Sequence, residues 1–96
     1  MTVDHRRDAQ ARIAELTALL QRADDASAAA IVTECEALSR AIAAFHMEGI
    51  RFRIYNVDRL VHKDAQLPPD IPAIVADVRR ELEAAGFHTR SHQAPN

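Results

Sequence analysis

Five histidines, a single cysteine and a short run of arginines are the residues whose side chains could do chemistry in this 96-residue chain. His88 and His92 stand four apart, a spacing that places two imidazoles on one helix face and can hold zinc. They follow Gly86, which reads as a helix stop, so that face is not expected to form. His46 precedes Glu48 by two residues, and Asp58 precedes His62 by four, where a surface ion pair is the plain expectation. The chain has no His-Glu-x-x-His, no Glu-x-x-His and no cysteine cluster. If a divalent metal is held, the candidates are His46, Glu48, His88 and His92.

Cys35 has no second cysteine with which to form an intramolecular disulfide. It falls on an apolar row, where a small buried side chain is expected. A nucleophilic thiolate would need exposure and a neighbouring base, and the sequence supplies neither. No nucleophile–base pair, phosphate loop or paired catalytic carboxylates can be picked out, so no catalytic residue is nominated.

The net charge is −2, too small to name a charged partner, but it is unevenly spread. Residues 1–48 carry five Lys/Arg against eight Asp/Glu, whereas residues 49–64 carry four against two. Arg51, Arg53, Arg59 and Lys63 form this basic island, with Phe52 and Tyr55 among them. Arginine on phosphate with aromatic stacking would be the chemistry of a nucleic-acid binder. The acidic balance and the lack of a helix-turn-helix signature argue against it. Aromatics flanked by arginine are also the composition enriched in protein interfaces.

These groups must be positioned by helices. Alanine fills 19 positions, glycine two and aromatics four, a profile that favours helix and leaves a thin core. Ala9, Ile13, Leu16 and Leu20 mark an amphipathic helix over about 6–22. A short link follows, with Asp25 or Ser27 as the next N-cap and an antiparallel neighbour as the consequence. Ile31, Cys35, Leu38, Ile42 and Phe45 then form a near-heptad row. Ile50, Ile54, Val57, Leu60 and Val61 share an arc of roughly 120°, whose centre is turned by about 90° from that row.

This predicts one long helix over about 26–62, bent near Gly49, that changes partner halfway. The alternative is α+β, with short strands near 50–56 and 87–91, because Ile50, Phe52 and Ile54 also alternate with arginines. Beyond DAQLPPD, Asp70 is expected to cap a helix over about 71–85, with Pro72 in its first turn. Gly86 and Phe87 should end it in a Schellman turn. Residues 88–96 are expected to be a flexible tail on a single helical domain.

The N-terminal MTVDHRRDAQ has no apolar h-region, and apolar runs such as AAAIV are too short to span a bilayer. A cytoplasmic protein with no membrane contact is the expectation. The leading functional expectation is a non-enzymatic interaction module or small regulatory subunit that self-associates as a dimer or meets a protein partner. Arg51, Phe52, Tyr55 and Arg59 would make that contact. The alternatives are a metal or small-molecule binder using the histidines, and then a weak nucleic-acid binder through residues 51–63.

Overall fold

A computed structural model describes residues 4–23, 26–64, 66–87 and 89. Those residues form four helices: α1 (His5–Ala23), α2 (Ala26–Ala43), α3 (Met47–Lys63) and α4 (Asp70–Ala84). The class is all-α, and residues 50–56 are helical. Each helix buries most of the stripe that its spacing marks out, Leu60 of the α3 arc being only partly buried and Phe45 of the α2 row exposed. Ala9, Ile13, Leu16 and Leu20 go inward from α1, and Ala28, Ile31, Cys35, Leu38 and Ile42 from α2. Ile50, Ile54, Val57 and Val61 do so from α3, and Ile71, Ile74, Val75, Val78 and Leu82 from α4.

The helices contact one another in a ring. α1 lies against α2 and α4, α3 lies against α2 and α4, and the two diagonal pairs make no backbone approach. Gln10 Nε2 near the start of α1 reaches Ser39 O near the end of α2, and His5 meets Glu81, so both neighbours of α1 run antiparallel to it. Glu34 on α2 accepts from Arg53 Nη1 at 3.0 Å and Asn56 Nδ2 at 3.2 Å on α3. Asp58 on α3 accepts from Arg79 Nη1 on α4 at 3.2 Å. These half-buried pairs select register more than they stabilise, because solvent screens them.

The expected bend near Gly49 is instead a complete break three residues earlier. Phe45 N donates to Ile42 O and His46 N to Ala41 O, which is a Schellman turn at the end of α2. Its left-handed position is held by Phe45, with φ 55°. An L residue with a large side chain pays roughly 1–2 kcal/mol for that conformation. The reversal lets both stripes be buried, which a single rod with faces about 90° apart could not do.

His46 then caps α3, its Nδ1 accepting from Gly49 N at 2.9 Å. Gly49 sits in the first turn of α3 and serves close approach. A Cβ there would come within 2.4 Å of His46 Nδ1 and 3.3 Å of the Ala41 Cβ.

The last helix starts one residue earlier than expected. Pro69 takes the N-cap position with no side-chain cap, Asp70 is the first helical residue, and Pro72 lies in the first turn. Ser27 lies inside α2, and Asp25 is outside the described residues. The α4 terminus is the Schellman turn that the sequence announces. Gly86 N donates to Glu83 O, Phe87 N to Leu82 O, and Gly86 has φ 99°. Phe87 is buried behind it. Thr89, within the expected tail, is buried as well. Its hydroxyl donates to Glu83 Oε2 at 2.8 Å and its carbonyl accepts from Arg79 Nη2 at 2.9 Å. Residue 88 and residues 90–96 lie outside the described residues.

The His46 cap and the bare Cα of Gly49 are one device, which a double-mutant cycle tests. Replacing His46 by Ala should cost about 1 kcal/mol of stability in urea denaturation. Gly49→Ala should also destabilise, because it evicts the imidazole and crowds Ala41. Made on top of His46→Ala it should cost less than it does alone. Strictly additive losses would mean that the two residues do not share the cap.

Candidate functional site

The surface around the α2–α3 reversal carries the three large apolar side chains that stay in water among the described residues: Phe45, Met47 and Phe52. Phe52 is 46% exposed because it lies on the face of α3 opposite Ile50, Ile54 and Val57. Arg53 sets its guanidinium 5.1 Å from the Phe52 ring while also pairing with Glu34. Beside the ring runs an open, mostly apolar groove between α2 and α3, floored by Ala37, Ala41, Ala44 and Gly49. Small residues at these positions bring the two backbones close and leave the groove shallow.

Of the residues expected to meet a partner, the groove takes only Phe52. Arg51 is half-buried with Nη1 3.4 Å from Glu48, Tyr55 is half-buried, and Arg59 is exposed. Two residues expected as metal ligands, His46 and Glu48, line the same groove. His46 Nδ1 is already the helix-cap acceptor, and Glu48 reaches Arg51. His88 and His92 lie outside the described residues. Asp58 and His62 form the expected pair, with Nδ1 3.1 Å from Oδ1. In the basic island, Arg51 and Arg53 face carboxylates, while Arg59 and Lys63 are exposed.

On the far side of the reversal lies a second cluster that no sequence spacing marks. Its spacing puts Phe45 on the core row, yet the residue is 64% exposed. The left-handed backbone turns it out of the helix-packing seam. There Arg6 lies over it, with Cζ 3.9 Å from the ring centroid, and Phe87 approaches at 6.3 Å with a 41° tilt. Arg6 Nη1 is shut off from solvent with no hydrogen-bond partner among the described residues, a cost that the stacking partly offsets. Asp4, His5, Ala84 and Ala85 complete an open cleft at this end of the bundle. The residues come from the two ends of the sequence and, with Phe45, from its middle, so no local spacing could have joined them.

Cys35 is fully buried, as its place on the α2 row implied. Burial pushes its thiol up to about 12 from the ordinary 9.0, and the Glu34 charge adds to the rise. A hydrogen bond with Thr17 opposes these, and Glu36 contributes a smaller rise. That is the reverse of an activated nucleophile. Compared with protein-family models, with curated proteins and with solved structures, the chain matches none. Among the described residues no helix is long and apolar enough to cross a membrane.

The thiol sets an alkaline weakness. From pH 9.0 to about 12 the unfolded chain ionises Cys35 and the folded chain does not, so stability falls as pH rises. Between pH 9 and 10 the wild type should lose about 1 kcal/mol more than Cys35→Ala loses over the same step. Urea denaturation of both proteins at the two pH values reads this difference. Equal losses would mean that the thiol is ionised in the folded chain too.

Proposed function

We propose that this protein is a non-enzymatic helical interaction module that associates with a second copy of itself through the α2–α3 groove and Phe52. The observation that carries the reading is the exposed Phe52 ring beside a groove floored by alanine and glycine. A ring from one chain fits such a floor, and two-fold symmetry lets each copy offer ring and groove at once. Charge supports a second copy over an unrelated partner. The groove carries charges of both signs, Arg40 and Arg53 with Glu48, so a two-fold contact has an arginine and a glutamate on each copy with which to pair across it.

The thin core points the same way. Phe87 is the sole aromatic in the buried set, so further apolar burial would add noticeably to stability.

Sedimentation velocity over a range of concentrations tests the proposal. The mass should rise toward twice 10.7 kDa, and Phe52→Ala should weaken association about tenfold or more while leaving helical content unchanged. Phe45→Gly should hold stability within about 1 kcal/mol, because relief of backbone strain offsets the lost ring contacts. A single-chain mass throughout the range overturns self-association. An unchanged dimer in Phe52→Ala moves the interface off the groove.

A further inference from the structure

The start of α1 meets the end of α4 through three side chains with the chemistry of metal ligands. His5 Nδ1 lies 2.7 Å from Glu81 Oε1. Asp8, one turn along α1 from His5, adds a carboxylate, and the three ligand atoms lie within 4.8 Å of one another. Zinc bonds to nitrogen and oxygen are near 2.0–2.2 Å, which sets neighbouring ligands about 3.4 Å apart in a tetrahedron. The His5–Glu81 contact would open by less than about 1 Å, and Asp8 would close by roughly 1–1.5 Å at most. Rotamer adjustments suffice for that, since the His5 and Glu81 side chains are 38% and 31% exposed and free to adjust.

The local charge suits a cation. A neutral imidazole with two carboxylates carries −2, and the last turn of α4 contains no basic residue. The C-terminal end of its helix dipole adds negative potential. The start of α1 opposes this, but Asp4 already caps it, accepting from Arg7 N at 3.1 Å. The guanidinium of Arg6, next to His5, is engaged on the face of Phe45, and Arg12, one turn beyond Asp8, pairs with Glu15. Without an ion, the short His5–Glu81 contact needs a proton between nitrogen and oxygen, and a metal would stand in that place.

We infer that His5, Asp8 and Glu81 form a binding site for a divalent transition metal of the zinc type, joining the first helix to the last. One imidazole nitrogen with two carboxylates is a borderline donor set, which favours zinc over the oxygen-seeking magnesium and calcium. Solvent fills the remaining coordination. The site is separate from the α2–α3 groove and stands whether or not the protein self-associates.

Isothermal titration of the chelator-treated full chain with zinc chloride, checked by native mass spectrometry, tests the site. One zinc per chain is expected, and the melting temperature should rise by on the order of 10 °C at a hundredfold excess over Kd. His5→Ala and Glu81→Gln should each weaken zinc binding at least about tenfold. Asp8→Asn provides a third ligand variant, with circular dichroism confirming that each variant is folded. The double variant His88→Ala/His92→Ala is measured beside them and should bind zinc as the wild type does. Absence of stoichiometric binding overturns the site. So does binding that survives the ligand variants, or binding that disappears with His88 and His92.

Discussion

Two apolar stripes on successive helical stretches, turned by about 90° from each other, cannot both be buried by one straight rod. The rest of the fold depends on how the chain resolves that conflict between Ile42 and Ile50. It reverses direction within Ala44, Phe45 and His46, so that α3 folds back along α2 and each stripe finds the interior. The reversal holds Phe45 in a left-handed conformation and gives the capping task to an imidazole. In return it buries Ile50, Ile54, Val57 and Val61, each of which contributes about 1.5–3 kcal/mol when removed from water. Burial on that scale outweighs the strain in one turn. The same reversal determines what is left outside. Phe45, Met47 and Phe52 are exposed because they sit in it, or on the outer face of the helix that it launches.

Most of the helix faces were legible in the sequence because burial follows periodicity. Every buried position on α1 and α4, from Ala9 to Leu20 and from Ile71 to Leu82, lies on a stripe that spacing alone marks. Gly86 and Phe87 announced their turn because glycine is the residue that a left-handed position favours. The α2 terminus is the same turn in disguise. Phenylalanine stands where glycine is usual, and histidine stands where serine or aspartate is usual, so neither stop nor start was visible there. Gly49 drew attention as a hinge, but it serves the close approach of His46 and Ala41 in the first turn of α3.

The candidate sites were legible in proportion to how local they are. Phe52 could be placed on an outer face from helical phase alone, and the pairing of Asp58 with His62 followed from their spacing. The groove beside Phe52 needed α3 to lie back along α2. The clusters at the other end of the bundle needed still more. Arg6 with Phe45 and Phe87, and His5 with Glu81, are joined only once α4 lies along α1. Sequence periodicity says which face a residue takes and is silent on which distant helix that face will meet.

The ring of helix contacts has a consequence for the order in which the structure can assemble. Three of its four seams join helices adjacent in sequence, whose short links make loop closure inexpensive. The fourth, between α1 and α4, brings together residues as far apart as His5 and Glu81, 76 positions along the chain. Closing that seam carries the largest chain-entropy cost, and contacts of long sequence separation slow folding. A partly assembled chain of α1, α2 and α3 leaves the inner faces of α1 and α3 bare until the last helix arrives. The chain-entropy cost therefore falls least on the hairpins, and closing α4 against α1 is what completes the ring.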